Sequence, residues 1–473
     1  MSIVVKDIDL RVINLHTRIP FKYGIATLTR VPHLFVRIQI ESQGRTQWGV
    51  SADSLPPKWF TKNPATSFQF EIEEMITVIR QTCAAALTLK ADTPFAFWQA
   101  LRAELAQCPQ HAAYPGLLRG FGISLVERAV IDAFCRLQAC TFSKALHNNL
   151  LGVQLGDIHP SLAGMEPADL LPAKPAQAVH IRHTVGLGDP LTDSEIPTEE
   201  RVDDGLPQSL SASIQTYGLR WFKIKICGDT AIDLPRLKAI AGMLEGQDIQ
   251  FTLDGNEQFH SVAAFQDCWS QLTGDPDLEA FMRQLVFVEQ PFHRDIALNT
   301  ETSEALLAWL ERPPMIIDES DADLHSASDA MNQGYVGTSH KNCKGVFKGI
   351  ANACLIKRSQ HGILSGEDLV NVGPVALLQD LAVAASLGIT HIERNGHHYF
   401  RGLDAFPASI QLAVLEQHGD LYETHSAGFP TLAIQQGEID IHSVLESPFG
   451  YSFDLDPKTF ISLEDWSYDM LEA

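Results

Sequence analysis

The chain has 473 residues, 45% hydrophobic and 20% charged, with 32 glycines and 25 prolines, a globular composition that excludes a disordered or fibrous protein. Its 58 Asp and Glu against 35 Lys and Arg give a formal charge of −23, which excludes a nucleic-acid backbone or an anionic membrane surface as partner and obliges any anionic ligand to find a locally positive site. No stretch approaches the roughly 20 apolar residues of a membrane span, MSIVVKDIDL lacks the basic start and apolar run of a signal peptide, and the eight cysteines are scattered without a C-x-x-C pair. The chain is read as soluble and cytoplasmic, with buried free thiols in place of a zinc framework or disulfides.

Residues 33–41 alternate and then meet Ser42–Gly44, which predicts a strand, a turn and a second strand through Trp48 and Val50. Ile123, Val126, Val130, Phe134 and Leu137 recur at three- and four-residue steps and predict an amphipathic helix. Residues 1–150 are thus read as an α+β domain. Segments 156–177 and 186–212, rich in Pro, Ser, Gly and acids, read as long loops around a short strand at 179–184. From about residue 220 short apolar runs alternate with helical segments. Their C-terminal charged or polar ends fall at 225, 254, 289, 318, 341, 367 and 393, spaced 29, 35, 29, 23, 26 and 26 residues apart. That spacing predicts successive βα units of an α/β fold, and with the strand at 179–184 the count reaches eight, which predicts closure into a barrel over 176–424. Strand-like pieces at 429–434 and 449–455 are expected to return, within 425–473, to the first domain.

In a barrel of this kind chemistry sits at the C-terminal ends of the strands. Alternation in Lys223-Ile224-Lys225 puts both ammonium groups on one face of the second strand, where anions must answer them. The next three strands end in Asp254, Glu289 and Asp318, three hard oxygen donors that suit Mg²⁺ better than zinc, because neither His nor Cys shares their layer. The sixth strand supplies Lys341, approaching from the side opposite Lys225, so that a base can stand on each face of a central carboxylate. A slip of three residues would hand this role to Lys344. Alternation places Ser339 on the same face as Lys341 and His340 on the other.

These motifs, KIK, LDGNE, VEQP, IDES and a lysine on the sixth strand, preceded by PFKYG, VPHLFVRIQI and SLVERAVIDAF, together resemble the enolase superfamily, in particular its muconate-lactonizing and mandelate racemase-like branch. The resemblance implies a modified TIM barrel of (β/α)7β type under an N-terminal α+β capping domain, Mg²⁺ on Asp254, Glu289 and Asp318, and α-proton abstraction from a small-molecule carboxylate through an enediolate. Self-association into a homo-oligomer is implied too. On this reading Lys223 offsets developing charge, Lys225 is the base, its pKa lowered by neighbouring cations and partial burial, and Lys341 is the second acid/base. Racemisation or epimerisation is the leading expectation, dehydration or cycloisomerisation the alternative. Outside the class stand a Schiff-base lysine barrel enzyme and a catalytically silent barrel. The mandelate-racemase pairing of Asp on strand six with His on strand seven does not fit, since Lys341 and SGED occupy those slots. Lys22 and Tyr23 from the cap, with Asn256, Glu393 and His397, are the candidate substrate contacts, and Trp59 lies in a second cap stretch that closes over the site. Glu367 and Asp368 carry no assigned role beyond helix capping.

Overall fold

The computed structural model describes residues 2–472. Three long antiparallel strands, Ile3–Tyr23, Ala26–Ser42 and Arg45–Ser54, form the sheet of the cap. The alternation read at 33–41 belongs to the middle one, where Leu34, Val36, Ile38 and Ile40 are buried. The first strand escaped the sequence reading because residues 6–11 are mostly half-buried and lack a clean two-residue period. Helices Phe68–Ala86 and Pro94–Ala106 add to the cap, and the predicted amphipathic helix spans Gly116–Gln138. That helix lies so close to the sheet that a Cβ on Gly49 would come within 2.2 Å of the Ala129 and Ala133 backbone. Only glycine fits there.

Eight parallel strands follow: Ala178–Val185, Trp221–Lys225, Gln250–Asp254, Leu285–Glu289, Met315–Ile317, Gly337–His340, Ile363–Glu367 and His391–Arg394. The eighth pairs with the first, His391 opposite His180, and closes the barrel. A parallel sheet with helices in every connection cannot leave an edge here, and its layered interior is filled by side chains. The register sets Lys225, Asp254 and Glu289 abreast on neighbouring strands, and Glu367 beside Glu393.

The C-terminal region returns to the cap as expected, Tyr451 donating to Asp132 of the long cap helix at 3.2 Å, but its strands differ. Residues Pro430–Leu432 pair with Tyr422–Thr424 in a separate hairpin, and 449–455 form no strand. The piece that does rejoin the cap sheet is Ile461–Ser462, against Arg11 and Val12. Two residues are too few to carry a period. The segment at 156–177 holds short helical turns, Leu155–Asp157, Pro160–Leu162 and Pro167–Leu170. The segment at 186–212 is tied to the cap by Arg18, whose guanidinium pairs with Asp204 at 2.6 Å. No helix among the described residues is long and apolar enough to cross a membrane.

Buried charge pins cap to barrel. Glu127 on the long cap helix accepts hydrogen bonds from the Val346 and Phe347 amides, at 3.1 and 2.7 Å, and so caps the barrel helix Val346–Arg358 from outside. Arg128 pairs with Asp53 with both side chains sealed from water, and Asn371 of the barrel donates to the other Asp53 oxygen at 2.9 Å. Removing the guanidinium leaves Asp53 charged and unpaired in the interior. Arg128→Met is therefore expected to cost about 3–5 kcal/mol in urea unfolding, and a loss below 1 kcal/mol would show the pair to be dispensable.

Candidate active site

The charged strand ends converge at the mouth of the barrel. The Lys223 ammonium is ringed by Glu289 and Glu393 at 2.8 Å, Asp254 at 3.0 Å and Glu367 at 3.2 Å. Lys225 donates to Asp254 at 2.5 Å and to the Asn256 amide oxygen at 2.6 Å. Across the mouth Lys341 reaches Asp318 at 2.8 Å and Glu367 at 3.0 Å, with its ammonium 4.6 Å from the centre of the Trp59 ring. Lys344 holds the other Asp318 oxygen at 2.7 Å from behind, bonded also to the Ser339 carbonyl. Arg182, buried inside the barrel over Phe287, reaches Glu367 at 3.3 Å.

Such burial would ordinarily neutralise these groups, and the pairing decides otherwise. For Lys223 and Lys341 burial favours the neutral amine, but the surrounding carboxylates overcome it and hold both pKa values well above the usual lysine range. Burial opposes ionisation of Asp318 and Glu393 as well, yet the lysines around them hold both far below the usual carboxylate range. Glu289 goes the other way: burial, then the nearby Glu367, pushes it well up. Its Oε2 is buried with no hydrogen-bond partner. Glu319, the neighbour of Asp318, is pushed up to about 7 by burial and then by Asp318, and accepts from Asn256 at 3.2 Å.

The cavity above this cluster is small, about 50 Å³, and is roofed by cap residues Phe21, Tyr23, Gly24 and Trp59. That volume holds no more than a few waters. Lys223, Lys225, Lys341, Asp254, Asp318, Asn256, Glu393 and Tyr23 all line it, whereas Glu289 lies just beneath its floor. Two expected substrate contacts are not brought there. Lys22 sits on the opposite side of its strand from Phe21 and Tyr23 and lines an outer cleft with Arg18, Glu195 and Arg236. His397 is buried elsewhere, its Nε2 2.9 Å from His183 Nδ1.

Glu367, left without a role beyond capping, ends its strand beside Glu393 as Glu289 and Asp254 end theirs, so the seventh strand's acid carried the same signal as its neighbours. Lys62 and Arg294, which clamp Glu257 at 2.9 and 2.7 Å, carried none, since they meet only through the tertiary fold.

The molecule is therefore a capped, closed (β/α) barrel with an ionic cluster at the strand ends. No family model and no curated protein matches the chain in sequence. Solved structures match its fold throughout. A mandelate racemase/muconate lactonizing protein from Herpetosiphon aurantiacus superposes with a TM-score of 0.61 at 17% identity, over 95% of this chain and 99% of that one. Muconate lactonizing enzyme from Pseudomonas fluorescens, complexed with muconolactone, gives 0.60 at 16% identity, over 96% and 98%. An enolase from Bradyrhizobium, complexed with magnesium and mandelic acid, gives 0.58 at 14% identity, over 93% and 94%. The fold is the capped barrel of the enolase superfamily that the motifs resemble.

Lys223 holds the cluster together, so its removal has a signed pH dependence. Without it, burial raises the pKa values of the facing carboxylates in the folded state. Stability is then present at low pH and lost as pH rises through those raised values. Lys223→Met is expected to cost about 3–5 kcal/mol at pH 7.5, and the gap from wild type should narrow steadily towards pH 5 in thermal melts. A gap that is flat or widens on acidification would refute this account.

Proposed function

We propose that the protein is a cytoplasmic, self-associating Mg²⁺-dependent enzyme of the enolase superfamily that removes the proton α to a carboxylate, and that it acts as a racemase or epimerase. One observation carries the reading: Lys225 and Lys341 enter the same cavity from strands two and six, each held by its own carboxylate. The Bradyrhizobium protein, described with magnesium and mandelic acid, supports the metal and the substrate class.

The residues fit a hard divalent ion. The donors are buried carboxylate oxygens, and Glu289 Oε2 lacks any other partner. On this proposal Asp254, Glu289 and Asp318 are the ligands first in view. When bound, the ion supplies positive charge against the second negative charge that α-deprotonation places on a carboxylate.

The chain's own residues do the rest. Lys225 Nζ, oriented by Asp254 and Asn256, must first shed a proton; as the neutral amine it then takes the α-proton on one face and becomes the ammonium. Lys341, kept as an ammonium by Asp318 and Glu367, returns a proton on the other, so the product is the epimer. Lys223 stays cationic under the reacting carboxylate and offsets its charge without moving. Trp59 over Lys341 and the remaining roof exclude water, which strengthens each of these interactions.

In D₂O with Mg²⁺, a panel of α-hydroxy acids, amino acids and dipeptides is expected to yield at least one acid that gains deuterium at the α-carbon without net elimination. Lys225→Ala and Lys341→Ala should each retain exchange with one antipode and lose it with the other. Both should lose conversion by a factor of about 10² or more. Loss of water or ring closure in place of exchange would redirect the assignment to a dehydratase or a cycloisomerase, and activity untouched by EDTA would end it.

A further inference from the structure

We propose that the acid this site accepts carries an apolar α-substituent, and that Val370, in the loop after the seventh barrel strand, selects it. The inference rests on the α-proton reading above and names the substrate class of the same site. Beyond the strand-end cluster the cavity wall is built from Phe21, Pro56, Trp59, Leu369 and Val370, all of them buried.

The charged side chains that share this wall are already answered. Lys58 pairs with Glu71 at 2.7 Å, Lys62 and Arg294 both pair with Glu257, at 2.9 and 2.7 Å, and Asp368 pairs with Arg394 at 3.1 Å. The Tyr23 hydroxyl is committed to the Pro57 carbonyl at 2.6 Å. Two further polar residues of the lining belong with the strand ends: Glu319 accepts from Asn256, and Asn395 donates to Glu393, both at 3.2 Å. A charged or polar substituent would have to displace one of these partners or lose its hydration unanswered. An apolar one exchanges water for matching surface.

Val370 stands apart within the wall. Its φ of +58° lies in the left-handed region, where a β-branched residue is a rare outlier and Gly or Asn is the ordinary occupant. The surroundings impose that conformation. Its amide donates to Asp368 Oδ1 at 2.8 Å, its carbonyl accepts from Ser54 Oγ at 3.2 Å, and the Ser54 amide donates to Asn371 Oδ1 at 3.4 Å. The loop is thus stitched to the end of the third cap strand. A strained valine on the wall of a reaction cavity supplies what the relaxed alternatives lack there, which is branched apolar surface.

The test compares leucine with asparagine, and the corresponding α-hydroxy acids, by α-deuterium exchange in D₂O with Mg²⁺; the paired side chains match in shape and differ in polarity. Wild-type kcat/KM is expected to favour the isobutyl side chain by about 10²-fold or more. Val370→Asn, whose side chain suits the left-handed backbone, should fold as the wild type does by circular dichroism and cut that preference at least about tenfold, chiefly through KM. A wild-type preference for the amide side chain overturns the proposal. A preference that Val370→Asn leaves within about twofold overturns the part assigned to Val370. If no acid of the wider panel above exchanges, it is the α-proton reading that falls, and calorimetry with isocaproate and succinamate, which needs no turnover, decides the pocket. Isocaproate bound more tightly than succinamate by the wild type, and less so by Val370→Asn, upholds it; equal or weaker binding of isocaproate by the wild type overturns it.

Discussion

Five carboxylates and five cations packed out of water at the barrel mouth are the constraint on which everything else depends. Asp254, Glu289, Asp318, Glu367 and Glu393 face Lys223, Lys225, Lys341, Lys344 and Arg182, all of them buried. None of these groups could remain charged there alone, since desolvating one ion costs several kcal/mol even after relaxation. Pairing lets such groups be buried because the parallel register delivers each to its partner within hydrogen-bonding distance, and only Glu289, pushed well up by burial and by Glu367, goes the other way. The barrel is thus a rigid frame whose strand ends are spaced for charge pairing. The short contacts mean that little reorganisation is needed when charge moves in the site, which is the condition under which fixed dipoles and ions lower a barrier.

The cap serves the same end by a different route. Its loops roof the mouth with Phe21, Tyr23 and Trp59. Tyr23 donates to the Pro57 carbonyl at 2.6 Å and ties the two cap segments of the roof together. Arg294 of the barrel bonds to the Trp59 carbonyl at 3.1 Å while pairing with Glu257, and Lys62 of the cap meets the same Glu257. The roof is therefore fastened at its rim by charge, and each opening must break or stretch those contacts. Exclusion of water raises the strength of every ion pair beneath it.

The barrel was legible because its signal is local and repeated: a short apolar run, then a charged or polar residue, at the interval of one βα unit. The cap helix at 116–138 was legible from its period, although the observed helix is buried on nearly all sides, a consequence of packing against both sheet and barrel. What the pattern could not give were pairings made at a distance, such as Lys62 with Glu257, or a two-residue strand at 461–462. The Lys22 reading had a remedy within the sequence. Phe21 and Tyr23 flank it on an extended strand, so if they face the cavity then Lys22 faces away. His397 had no such sign, since its partner His183 lies more than two hundred residues earlier. Glu367 was given no role beyond helix capping although it ends its strand as Glu289 does.

The charges at the mouth also bear on the ion proposed above. On the proposed function, a substrate carboxylate entering a cavity whose ions already pair with one another meets little free positive charge, and a divalent ion would be the compact way to supply it. Added lysines would not serve as well, because each would need a further buried carboxylate as its partner when the site is empty.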